Sequence, residues 1–233
     1  MADPLPVAAL EKAVKITRVK VGIGGIAQAG GAFMTQPEDR SLLGASELAP
    51  FSAMAGFSPG MGVSLDVRAF NRIGLEVNAI RSIDTGLSHY TVNDVEVPFR
   101  VTQPSVHVPV LLKLSSAAPV FRPNLQVGAQ FIVPLETQLT VDGDLPFDLA
   151  ASADPYMVWV VGLGAEIKLP FKGADIRLPI AARAGFNTPY GRSAAERAIY
   201  ALDAEGYVSS MDMDSAWQYH GSVTAGLTWY WPK

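Results

Sequence analysis

From Trp217 to Trp231 the chain alternates without a break. The odd positions are Trp217, Tyr219, Gly221, Val223, Ala225, Leu227, Trp229 and Trp231, and the even ones Gln218, His220, Ser222, Thr224, Gly226, Thr228 and Tyr230. A period of two predicts a strand with one apolar and one polar face, and this one is far longer than the usual strand of about 5–6 residues. The pattern recurs upstream. Met61 to Ala69 alternates with Gly62, Ser64, Asp66 and Arg68, and after Asn71-Arg72 the run Ile73 to Ala79 alternates with Gly74, Glu76 and Asn78. Val106 to Leu114, Leu125 to Val133, Met157 to Leu169 and Ile176 to Phe186 read the same way. Val19 to Phe33 makes an eighth, with a bulge or bend expected at Gly24-Gly25.

Short turns are predicted near Asn71, Ala117 and Gly173, and long connections over 34–56, 85–103, 136–155 and 188–215, with short helices at Ser41 to Leu48 and Ser193 to Leu202. The expected fold is all-β: an eight-stranded antiparallel up-and-down barrel over residues 19–231, preceded by a segment, 1–18, that is either a helix or disordered. Alternating short turns and long loops is the asymmetry of transmembrane barrels, whose turns and termini are periplasmic and whose loops are extracellular.

Alternation alone also fits a soluble, lipocalin-like calyx with its apolar face inside. Composition favours lipid outside. Hydrophobic residues make up 49% and charged ones only 17%, against about a quarter charged in ordinary soluble domains, yet no apolar run is long enough for a membrane helix. The polar faces are rich in glycine (Gly22, Gly24, Gly62, Gly74, Gly128, Gly162, Gly164, Gly185), which suits the narrow interior of eight strands. Tyr156, Trp159, Trp217 and Tyr219 at one level, with Trp229 and Trp231 at the other, read as two interfacial girdles. The net charge of −4 gives no basic field for nucleic acid, and the absence of cysteine excludes thiol chemistry and Cys-based zinc sites. Met1-Ala2-Asp3-Pro4 lacks a secretory signal; a mature chain with an added start methionine is the favoured reading.

Thr224-Ala225-Gly226-Leu227-Thr228-Trp229-Tyr230-Trp231 resembles the C-terminal β-signal of outer-membrane proteins, carried here by Thr224, Gly226, Trp229 and Trp231. Val106 to Lys113 resembles the mid-barrel strand of the porin-like outer-membrane β-barrel domain. The chain is thus similar to the small bacterial outer-membrane β-barrel superfamily, although Pro232 and Lys233 follow the final aromatic. The resemblance implies the bacterial outer membrane as location, with membrane lipid and the barrel-assembly machinery as partners. A protein partner through the outer loops or residues 1–18 is left open.

The inward face is expected to hold Lys20, Asp66, Arg68, Glu76, Lys113, Glu166, Lys168, Arg177 and Arg183, which must pair or keep water in a narrow lumen. A salt-bridged plug is the default, and a narrow, slightly anion-favouring channel or small-solute binder the alternative. His220 and Ser222 share that face. They resemble the His-x-Ser pair of outer-membrane lipid A deacylases, but that pair faces outward and needs an acid partner, so polar filler is the preferred reading and no catalytic residue is assigned. His107 reads as lumen filler and His89 as a loop residue. Asp142, Asp144, Asp148 and Asp154, like Asp212 and Asp214, fit no calcium-loop spacing and read as solvated loops. Gly22 to Gly25 lacks the lysine and helix of a nucleotide loop. No metal or cofactor is expected. The functional expectation is a non-enzymatic barrel with a structural or surface-interaction role.

Overall fold

A computed structural model describes residues 19–34, 53–92, 95–145, 148–187, 198–202 and 208–231. The expected segment 1–18, the expected helix at 41–48 and residues 232–233 lie outside them. Among the described residues the strands are β1 (Val19–Met34), β2 (Met54–Phe57), β3 (Gly60–Ala69), β4 (Ile73–Val92), β5 (Val95–Ser115), β6 (Phe121–Pro134) and β7 (Gln138–Val141). There follow β8 (Asp148–Ser152), β9 (Tyr156–Lys168), β10 (Asp175–Phe186), β11 (Ala198–Leu202), β12 (Val208–Asp214) and β13 (Tyr219–Tyr230). No helix among these residues is long and apolar enough to cross a membrane.

Eight of the strands close on themselves in the order β1-β3-β4-β5-β6-β9-β10-β13, every neighbouring pair antiparallel. The seam joins the first and last strands, from Gly22 opposite Tyr230 to Phe33 opposite Tyr219. Backbone amide Trp231 N also donates to Val21 O at 3.1 Å. Both ends of the barrel chain therefore lie at the short-turn end. There the β3–β4 hairpin turns through Phe70 and Asn71, both in the left-handed region (φ 51° and 57°), with Arg72 N donating to Ala69 O at 3.1 Å.

The expected bulge at Gly24-Gly25 is absent: β1 runs in unbroken register with β13 on one side and β3 on the other. Gly24 has a different use. A Cβ there would sit 2.0 Å from the backbone oxygen of Leu227, so the strands approach more closely than any side chain allows, and the sheet curls tightly enough to close.

The faces separate as the alternation predicts. Outward positions such as Val21, Ile23, Val63, Leu65, Leu75, Leu112, Leu125, Val161, Leu163, Val223 and Leu227 are exposed, while Asp66, Arg68, Glu76, Lys113 and Glu166 are buried. An apolar exterior around a charged core is the reverse of a soluble calyx.

Three expectations about the far end need correction. The supposed loop 85–103 is a continuation of β4 and β5, paired from Ile83 opposite Pro104 up to Val92 opposite Val95. Along β5 the polarity of the faces inverts. On β5, Leu112 points out and Lys113 in below, whereas Arg100, Pro98 and Glu96 point out and Val97, Phe99 and Val101 in above. β4 is mixed there, with Leu87 exposed and Asp84, Ser88 and Tyr90 buried. The hairpin remains one continuous sheet throughout. Second, the described part of the expected helix at 193–202 is strand β11, paired with β12. Third, Trp217 and Tyr156 are not girdle residues. Trp217 is fully buried among Met34, Met54, Tyr90, Phe99, Met211 and Met213, and Tyr156 packs against the same cluster, its hydroxyl accepting from Trp217 N at 3.3 Å. Trp159, Tyr219, Trp229 and Trp231 do face outward.

That apolar cluster caps the barrel. β12 pairs antiparallel with β11 and parallel with β8 in a small separate sheet, whose Met211, Met213, Leu149 and Ala151 pack onto it. β2 and β7 extend the barrel wall at the same level.

Candidate functional site

Side chains alternate inward along the eight strands and meet in the lumen in two layers. In the turn-end half lies one connected ionic network. Arg68 Nη1 donates to Glu166 Oε2 at 2.7 Å and Nη2 binds the other oxygen, making a two-pronged pair. Arg68 Nη2 also reaches Asp66 Oδ2 at 3.3 Å and the Tyr230 hydroxyl at 2.9 Å. Lys113 Nζ is the hub, donating to Asp66 Oδ2 at 2.7 Å, Glu76 Oε2 at 2.8 Å and Glu166 Oε1 at 2.8 Å. Arg183 bridges Glu76 Oε1 at 2.5 Å and Gln126 Oε1 at 2.8 Å, and Asn78 donates to the same Glu76 oxygen at 2.7 Å. The ionic partners are almost wholly buried. Removing one of them leaves a buried charge uncompensated.

The remaining sequence-predicted residues sit apart from this hub. Lys20 pairs with Asp175 at 2.9 Å, and Arg177 Nε lies 3.1 Å from the same carboxylate. Lys168 is exposed at the rim and makes no ion pair with the other described residues. The geometry thus joins Asp66, Arg68, Glu76, Lys113, Glu166 and Arg183, and leaves Lys20, Lys168 and Arg177 at the mouth.

A second polar cluster lies nearer the cap. Asp84 accepts hydrogen bonds from the hydroxyls of Ser58 and Ser105, from Ser82 Oγ at 2.8 Å and from His107 Nε2 at 2.9 Å. Ser105 Oγ is 3.1 Å from the same Nε2, and Gln130 Nε2 is 3.2 Å from Nδ1. This is not a nucleophilic triad. There the serine and the carboxylate occupy opposite imidazole nitrogens, whereas here both crowd one and an amide takes the other. His220 meets His107 edge-on, ring centroids 5.9 Å apart, and lies 3.5 Å from the Tyr156 hydroxyl. With Ser222, Gln28, Gln130 and Arg183 it lines a cavity of about 10 Å³, room for about one water. Among the described residues no carboxylate is hydrogen-bonded to His220. Among the described residues there is no group of three or more His, Cys, Asp or Glu side chains arranged to hold a metal.

Among the lumen residues that the sequence pattern did not single out are Ser82, Asp84, Gln103, Ser105 and Arg122. The even-numbered positions of β4 continue inward past Ile80 through Ser82 and Asp84, and the odd positions of β5 begin inward at Val97, so extending the alternation beyond the apolar stretch finds them. Tyr230 lies over Gly22, where an added Cβ would meet its ring at 2.8 Å. In the last strand Thr224 and Thr228 are buried in the lumen and Gly226 shares their face, while Trp229 and Trp231 point out with ring centroids 4.8 Å apart.

No family model matches the chain, and no curated protein matches its sequence. Solved structures similar to it include the outer membrane protein OprG from Pseudomonas aeruginosa, with 10% identity, coverage of 93% of this chain and 97% of that one, and TM-score 0.48. Neisserial surface protein A is similar at 16% identity, 91% and 96% coverage and TM-score 0.37. The translocator domain of the autotransporter NalP from Neisseria meningitidis is similar at 12% identity, 95% and 92% coverage and TM-score 0.25. These are distant likenesses. The class rests on the chain itself: a closed antiparallel ring, apolar without and ionic within, is a β-barrel of the outer-membrane type.

Proposed function

We propose that the chain is an integral outer-membrane barrel with short turns and both barrel ends toward the periplasm, its lumen closed by the ionic plug and the apolar cap, and a structural or surface-interaction role carried by its outer end. The observation that carries this reading is the apolar outer face around a buried ionic core, joined by the inversion of face polarity toward the far end of β5. It supports a lipid-facing wall that gives way to a more polar outer end. Eight strands leave little bore, and here the bore is occupied at two levels. The strand from Thr224 to Trp231 fits the role of assembly signal, with two aromatics presented outward for a partner to read.

Two measurements test this. Purified protein reconstituted in planar bilayers is expected to give no stable conductance steps while showing a heat-modifiable gel shift; reproducible unitary steps would replace the plugged barrel with the narrow-channel reading. Leu163, exposed midway along β9, is expected on replacement by arginine to cost about 2–4 kcal/mol in lipid-vesicle unfolding, the price of a midplane charge. A surface site in water shows a change within about 0.5 kcal/mol, so that result would return the chain to the soluble class.

A further inference from the structure

The ionic bookkeeping of the lumen does not close at the turn end. Among the described residues, Lys20, Arg68, Lys113, Arg122, Lys168, Arg177 and Arg183 face only four carboxylates, Asp66, Glu76, Glu166 and Asp175. Single unpartnered nitrogens also occur on Arg68 and Arg183 deeper in the lumen, but the surplus is clearest at the β5–β6 turn. Arg122, on β6, is buried and has no carboxylate partner among the described residues; its Nε donates to the backbone oxygen of Ala118 at 3.3 Å. Glu166, its cross-strand neighbour, is already held by Arg68 and Lys113. Arg177, equally buried, shares Asp175 with Lys20 through Nε at 3.1 Å and donates Nη2 to the next carbonyl, Pro119 O, at 3.4 Å, while its Nη1 has no partner among the described residues. Two guanidinium groups thus converge on consecutive carbonyls of the β5–β6 turn with donors left over. A buried donor without a partner marks a place where an ion or water completes the structure, and paired guanidinium forks match the geometry of a tetrahedral oxyanion. The place is reachable, since half-buried Lys20 and exposed Lys168 flank it at the mouth.

The geometry points to an oxyanion site at the turn-end mouth, in which Arg122 and Arg177 clamp a phosphate group from within the barrel and Lys20 and Lys168 draw it in. The inference rests on the barrel reading above and adds a ligand class to the mouth of the lumen. The phosphate belongs either to a free anion or to the head group of an inner-leaflet lipid.

The test uses the full chain folded in a nonionic maltoside detergent, with a heat-modifiable band required of every sample. Inorganic phosphate is titrated against chloride at matched ionic strength and followed by calorimetry and melting temperature. A parallel arm offers short-chain phosphatidic acid against phosphatidylcholine in mixed micelles. Saturable binding of phosphate or phosphatidic acid is expected, weakened roughly tenfold or more in Arg122→Gln and in Arg177→Gln, as loss of a charge-assisted bond implies. Arg81→Gln, an exposed site on the outer wall, is expected to leave it unchanged. Binding of the free anion identifies one source, and binding of the lipid alone the other. A heat-modifiable wild-type barrel that distinguishes neither probe from its control overturns the site while leaving the barrel reading intact. So does binding that both arginine variants retain. Should the variants fail to fold, the wild-type contrast between phosphate and chloride still decides.

Discussion

Lys113→Met is expected to lower the stability of the barrel by about 3–5 kcal/mol, the cost of breaking a buried ion pair from one side. Lys113 Nζ holds oxygens of Asp66, Glu76 and Glu166 within 2.7–2.8 Å, so its loss leaves three carboxylates sharing only Arg68 and Arg183. Methionine keeps most of the volume, which makes the loss one of charge rather than packing. Urea unfolding in lipid vesicles, followed by tryptophan fluorescence, reads the effect. Adding Asp66→Asn removes the carboxylate with the weakest remaining contact, the 3.3 Å approach of Arg68, and is expected to restore part of the loss. The double-mutant cycle isolates the coupling. A single variant as stable as the wild type would show that the ionic hub is decorative.

Trp217→Ala is expected to cost about 3–5 kcal/mol as well, but in a different part of the molecule. Trp217 fills the centre of the cap, touching the level of Gly86, where an added Cβ would lie 2.3 Å from its ring. Emptying that volume loosens the contacts of β8 and β12 with the barrel and leaves the ionic network at the other end untouched. Limited proteolysis is therefore expected to cut the outer segments of the variant quickly while the heat-modifiable barrel persists. Loss of the heat-modifiable form itself would show that cap and wall fold as one unit.

The transmembrane wall was legible because lipid imposes a simple rule: within the apolar layer every outward position must be apolar, so period two survives for ten residues or more. Strands β1, β3, β6, β9, β10 and β13 therefore stand nearly where alternation puts them. The rule fails at its own boundary. Beyond Pro104 the apolar residues of β5 move to the inner face, and beyond Ile83 those of β4 keep no single phase, so Tyr90, Phe99 and Val101 read as irregular although the strands continue. Asp84 and Ser105 sit at that crossing and were lost with it. Trp217 misled for a related reason. Its letter extends the alternation of β13, but Ser215, Ala216 and Trp217 are all buried in succession, since the chain there bends over the mouth before entering the wall.

Partner choice in the lumen is the least legible part. Arg68 could be assigned to the interior from its neighbours, yet its partner Glu166 lies on a strand that touches neither β3 nor its neighbours in the ring. Which inward residues meet depends on the stagger of the whole closed ring, a global property that no local pattern encodes. The surplus at Arg122 was invisible for the same reason, because a surplus is defined only once every carboxylate has been spoken for.

The seam between β1 and β13 sets the order of events in assembly. Gly22 and Tyr230 are adjacent in space and nearly a chain length apart in sequence, so their pairing carries a high loop-closure cost and comes late. Until then β1 and β13 each present an open row of backbone donors and acceptors, which hydrocarbon does not tolerate and which invites pairing with a foreign chain. Entry into the bilayer and closure of the ring must therefore proceed together, and a molecule interrupted before its last strand is a candidate for aggregation rather than a smaller barrel.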